Sequence, residues 1–141
     1  MILLVENSED DAALMRRILG KQLPDSEICV AKDGREALEL LASWGDEKPQ
    51  LLLIDVHLPR VSGLQVLEEV RKSPLTRHVP VVMLSSSQDN SDVMRSYDLG
   101  ANSFLVKADQ TGQFEATIHE IVPYWLHLNH TPANRPGTAG R

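Results

Sequence analysis

Short runs of consecutive apolar residues alternate along the chain with longer stretches in which apolar positions recur every three or four residues. The runs lie at 1–5 (MILLV), 27–31, 51–54 (LLLI), 80–84 (PVVML) and 103–106. Runs of this kind, without polar alternation, predict strands covered on both faces, as in a parallel sheet. The intervening stretches predict helices. Leu14, Ile18 and Leu19 form one apolar stripe, Ala37, Leu40, Leu41 and Trp44 a second, and Val66, Leu67 and Val70 a third. Val93, Met94 and Tyr97 give a short fourth helix. Phe114, Ile118, Ile121, Val122, Trp125 and Leu126 give a last one over about 110–128, with a kink expected at Pro123. Ser8 with Asp11 three residues later resembles a capping arrangement, and Asn90 or Ser91 is expected to cap the fourth helix. Strands alternating with helices in this way predict a three-layer α/β fold. We expect a flavodoxin-like, doubly wound, five-stranded parallel sheet in the order 2-1-3-4-5, with helices on both faces and right-handed crossovers.

Composition narrows the class. The 141 residues suffice for one domain with its own core, residues 1–128. Residues 129–141, rich in Pro, Gly, Thr and Asn, are expected to form a flexible tail. A net charge of −6 argues against general affinity for nucleic acid. The single cysteine, Cys29, rules out an internal disulfide and is expected in the core of its strand. No run approaches the ~20 apolar residues of a membrane span. With no cationic-apolar leader before the first strand, a cytoplasmic protein is expected.

The chemistry gathers where the strands end. The first run ends at Glu6 and Asn7, the third at Asp55, the fourth at Ser85 and the fifth at Lys107. In the order 2-1-3-4-5 those ends share one edge of the sheet, where open α/β sheets place their ligands. Carboxylates, a hydroxyl and an ammonium together suit phosphoryl transfer onto Asp55. Mg²⁺ prefers oxygen ligands, which Glu6, Asp55 and the backbone carbonyl of His57 can supply. The ion would offset repulsion between the carboxylate and the incoming group, leaving Asp55 as nucleophile. Lys107 would pair with one phosphoryl oxygen, and Ser85 would donate a hydrogen bond to another.

At these residues the chain resembles the receiver domains of two-component response regulators. The resemblance covers about residues 1–128. It is carried by V-E-N at 5–7, I-D-x-x-x-P-x-x-x-G at 54–63, L-S-S at 84–86 and F-L-V-K at 104–107. More narrowly, L-P-R after the acceptor, S-D-V-x-R-S-Y before Gly100 and P-Y-W-L-x-L-N at 123–129 resemble the stand-alone regulators paired with bacterial phytochromes. The resemblance implies a histidine kinase as phosphoryl donor, a phytochrome kinase on the narrower match. It implies Phe104 as an aromatic switch partner of Ser85, and signalling by protein contact rather than as an enzyme. Two positions depart from the pattern. Asn7 stands where the family has a second metal-binding aspartate, so a weak Mg²⁺ site is expected. Ala108 stands where the family has a proline in a cis peptide.

These departures keep one alternative in view, a pseudo-receiver that binds proteins without being phosphorylated. A haloacid-dehalogenase-type phosphatase would need a second acid where His57 stands. A flavodoxin-type phosphate loop is disfavoured by the acids after the first strand. A homodimer is expected on the face of the fourth and last helices, through Val93, Tyr97, Ile121, Tyr124 and Trp125.

Overall fold

The structure is a computed structural model, and it describes residues 1–107 and 112–132. Five parallel strands, β1 (Ile2–Val5), β2 (Ile28–Ala31), β3 (Leu51–Asp55), β4 (Val81–Ser85) and β5 (Ser103–Val106), form one sheet in the order β2-β1-β3-β4-β5. The expected strand order is the observed one. Along β1 and β3 the register pairs Leu4 with Leu53 and Val5 with Ile54, so both strands end side by side.

The strand residues alternate between two apolar layers. Leu3, Val5, Leu52, Ile54, Val81 and Met83 face α2 (Gly34–Trp44) and α3 (Gly63–Lys72), meeting Ala37, Val66, Leu67 and Val70. Ile2, Leu4, Leu51, Leu53, Val82 and Leu84 face α1 (Glu9–Gln22) and α5 (Gln113–Pro123), meeting Met15, Ile18, Leu19, Ile118 and Val122. All the strand residues named are fully buried. Fully burying one such side chain contributes roughly 1.5–3 kcal/mol, so these two layers hold the sheet edge in place. The short α4 (Asn90–Asp98) lies against α3 and β5.

Local details refine four expectations. On α1 it is Met15 that is fully buried, while Leu14 is only half-buried against the same layer. Cys29 is also half-buried, because β2 is an edge strand with one neighbour. The cap of α4 is Asp89, whose Oδ1 accepts from the Ser91 N–H at 2.9 Å, one residue before the expected position. At Pro123 the α-helix passes into a π-helical segment, Tyr124–Leu128. Proline has no N–H for the His119 carbonyl one turn back. Gln22 at the end of α1 donates to that carbonyl instead, at 2.6 Å. The helical run ends at Leu128, and residues 133–141 of the expected tail lie outside the described residues.

Candidate functional site

Asp55 closes the central strand β3 with only 6% of its surface exposed. Its Oδ1 accepts from the His57 N–H at 2.8 Å, and its Oδ2 from Lys107 Nζ at 2.6 Å. Lys107 follows β5 and is anchored by its own N–H on the Ser85 carbonyl at 2.7 Å. From there its side chain crosses the end of β4. Glu6, at the end of β1, is 4% exposed. It accepts from Lys107 Nζ at 2.7 Å through Oε1 and from the Ser8 N–H at 3.2 Å through Oε2. A third carboxylate, Asp11 Oδ2 in the first turn of α1, lies 2.9 Å from the same ammonium. The three donors of Lys107 therefore meet three carboxylates.

The titration shifts follow from this packing. Burial pushes the Glu6 carboxyl above its usual range and the Asp55 charge adds to the effect, while the Lys107 hydrogen bond opposes both. Burial alone would lower Lys107. The bonds from Asp55, Glu6 and Asp11 outweigh it and raise the ammonium above its ordinary value.

The loop after Asp55 explains the I-D-x-x-x-P-x-x-x-G spacing. A side chain at Gly63 would fall on the Asp55 carbonyl oxygen, so the residue that starts α3 must be glycine for the helix to come this close. Ser62 and Gln65 form a reciprocal capping box at that start. Arg60 takes a left-handed backbone, φ 67°, at a cost on the order of 1–3 kcal/mol. Its guanidinium lies 3.7 Å from Asp33, the cap of α2.

The remaining expected residues fall in different settings. Ser85 is fully buried, and its Oγ accepts from the Ser87 N–H at 3.1 Å. Phe104 is half-buried against the α2–α3 layer and also lines an open groove of about 250 Å³ with Gln88 and Phe114. Asn7 is exposed. The His57 ring is not idle, since Nε2 lies 3.1 Å from the carboxylate of Asp92 on α4. Ala108 lies outside the described residues, and with it the peptide after Lys107. On the expected dimer face, Tyr97 and Tyr124 are 50% and 47% exposed, whereas Val93 is half-buried. Ile121 and Trp125 pack on the α1–α5 layer. Tyr124 meets Trp125 edge to face, with ring centroids 5.0 Å apart.

Asp11 was not foreseeable as a site residue from the capping pattern alone. In a capping box the third helical side chain reaches back to the cap N–H. Here Glu6 already takes the Ser8 N–H, and the Asp11 carboxylate turns to Lys107. The available signal was an acid one turn beyond a strand end that already carries one.

The donor set suits a hard divalent cation, because every candidate ligand is an oxygen. Glu6, Asp55 and the His57 carbonyl are the groups that would hold it. Among the described residues no three acidic, histidine or cysteine side chains are arranged around a metal-sized space. The Lys107 ammonium instead stands where Glu6, Asp11 and Asp55 converge.

Comparison with known proteins identifies relatives of the chain. Residues 2–119 match the family model of the response regulator receiver domain. The chain is 33% identical over 137 residues to response regulator Rcp1 of Synechocystis sp., spanning 94% of this chain and 93% of that protein. The Mn²⁺-bound structure of Rcp1 superposes with a TM-score of 0.83 over 94% of this chain and 98% of that one. The phosphorylated cyanobacterial phytochrome response regulator RcpA superposes with a TM-score of 0.84 at 32% identity, over 94% and 97%. The bacteriophytochrome response regulator AtBRR does so with 0.70 at 39% identity, over 95% and 96%. With a buried strand-end aspartate, its lysine and this breadth of likeness, the chain belongs to the response regulator receiver domain family.

Proposed function

We propose that this receiver takes a phosphoryl group from a sensor histidine kinase, a phytochrome kinase by its likeness to Rcp1, RcpA and AtBRR, onto Asp55. The observation that carries the reading is the buried Asp55 carboxylate with Lys107 Nζ 2.6 Å from Oδ2. An Asp55 oxygen attacks phosphorus, the bond from phosphorus to the kinase's histidine nitrogen breaks, and that nitrogen leaves with the electron pair. Glu6, Asp55 and the His57 carbonyl would hold Mg²⁺, which when bound would supply charge neutralisation for that approach. Lys107 exchanges a carboxylate for a phosphoryl oxygen. Ser85, whose oxygen now accepts from Ser87, has its proton free to donate to another.

The movement of Ser85 and Phe104 then becomes the signal, read by protein contact on the α4–β5–α5 side, with no catalytic output from this domain. Residues 1–128 are taken as the receiver unit. Among the described residues no helix is long and apolar enough to cross a membrane, and a cytoplasmic setting suits a kinase partner. Acetyl phosphate with Mg²⁺ tests the acceptor: wild type gains one phosphoryl group by mass and Asp55→Asn gains none. Equal labelling of the two proteins refutes the assignment. No labelling of either leaves the pseudo-receiver reading in possession.

The same surface is proposed to join two copies of the chain. Tyr97 and Tyr124 carry this part of the reading, as exposed aromatics of the kind favoured in interface cores. Sedimentation at tens of micromolar should find wild type near twice 15.7 kDa. Tyr97→Ala with Tyr124→Ala should run as a folded monomer. A monomeric wild type, phosphorylated or not, removes the dimer.

A further inference from the structure

Asp10 and Asp11 stand side by side in the first turn of α1, yet only one of them serves the site. Glu9, Asp10 and Asp11 all gain from the helix N-terminus. Helix stability alone gives Asp11 no reason to point inward. Its N–H still donates to Ser8 Oγ at 3.2 Å, but the reciprocal half of the capping box is taken over by Glu6. The released Asp11 carboxylate sits 2.9 Å from Lys107 Nζ, beside Glu6 at 2.7 Å and Asp55 at 2.6 Å.

We infer that Asp11 supplies the acidic charge that Asn7 lacks, completing the divalent-cation site of this receiver from the first turn of α1. The inference rests on the acceptor reading given above. Three ionised carboxylates around one ammonium leave a formal charge of minus two, which a divalent cation neutralises. Without Asp11, and with a neutral Asn7, the same cluster would carry only minus one. Coulomb attraction acts across several ångströms, so Asp11 contributes without being a ligand. Its side chain is 45% exposed, which weakens the effect by screening but leaves the carboxylate open to an arriving ion.

Mn²⁺ titration of the full chain, followed by the electron paramagnetic resonance signal of the free ion, tests this without reference to phosphorylation. Asp11→Asn should bind Mn²⁺ about ten-fold more weakly than wild type. Asp10→Asn, which removes the same charge from the same turn, should bind as wild type does. Adding Asn7→Asp to Asp11→Asn should restore the affinity. Thermal melts of each variant check that α1 remains folded. Wild type that binds no Mn²⁺, or equal affinity in wild type and Asp11→Asn, overturns the inference. If the affinities follow Asp11 but acetyl phosphate never labels Asp55, the acceptor reading fails and the charge assignment stands.

Discussion

Two cations tie distant segments of this domain together, and they do so in opposite ways. Lys107 gathers Glu6, Asp11 and Asp55 at the carboxyl edge of the sheet. Arg71, on α3, donates through Nε to the Gly100 carbonyl and through one terminal nitrogen to the carbonyls of Arg77 and Val79. Its other nitrogen reaches Asn102 Oδ1, which also accepts from the Val81 N–H. None of those Arg71 partners carries a charge. Burial accordingly lowers the Arg71 guanidinium, while three carboxylates raise the Lys107 ammonium. A cation held by neutral carbonyls has nowhere better to go. A cation held by carboxylates can be displaced by another cation or drawn off by a new anion, and the phosphorylation proposed above would bring both. The Arg71 cluster is a clamp, and the Lys107 cluster keeps an excess of negative charge, which on the proposed reading makes it a switch.

The largest expected effect that would test this contrast is Lys107→Met without divalent metal. It leaves Glu6 and Asp55, both nearly buried, facing each other unpaired. Breaking a buried pair in this way costs about 3 kcal/mol in unfolding free energy. Mg²⁺ at ~100 times its Kd should return up to about 2.7 kcal/mol of that loss, because the carboxylates then have a cation again. The pH dependence follows from the same residue. A lysine whose folded value is raised contributes stability that is complete below its unfolded value, ordinarily 10.5, and lost as pH rises through the folded one. Wild type should therefore lose stability more steeply than Lys107→Met above about pH 10.5. Parallel alkaline limbs in chemical denaturation would show that Lys107 contributes no such term.

Arg71→Met gives the smaller effect and the sharper contrast. It removes several partly exposed hydrogen bonds and leaves the Val79 carbonyl without its donor. A loss of about 1.5 kcal/mol is expected, independent of Mg²⁺. Urea melts with and without the metal check this. A deficit that Mg²⁺ narrows as much as it narrows that of Lys107→Met would erase the distinction between clamp and switch.

Much of this protein follows from the order of its residues alone. Apolar runs at helical and strand spacing specify five parallel strands and their helices, because strands apolar on both faces need helices packed against each side of the sheet. Strand order then brings Glu6, Asp55 and Lys107 to one edge, since side chains just past parallel strands share a direction. Gly63 is legible in the same way, as the one residue that lets α3 start against the Asp55 carbonyl. What the pattern could not decide is which of several equivalent groups makes each contact. Asp11 and Asp10 are neighbours of the same type, and only the position of Lys107 and the prior claim of Glu6 on Ser8 turn Asp11 inward. Trp125 and Tyr124 are likewise adjacent, and only the turn of the chain after Pro123 sends one to the core and leaves the other in solvent. The His57–Asp92 pair joins a loop to a helix across 35 positions of sequence, a contact that no local spacing encodes. Burial and backbone direction are written into short stretches of sequence. The choice of partner depends on distances between segments, and those exist only once the chain has folded.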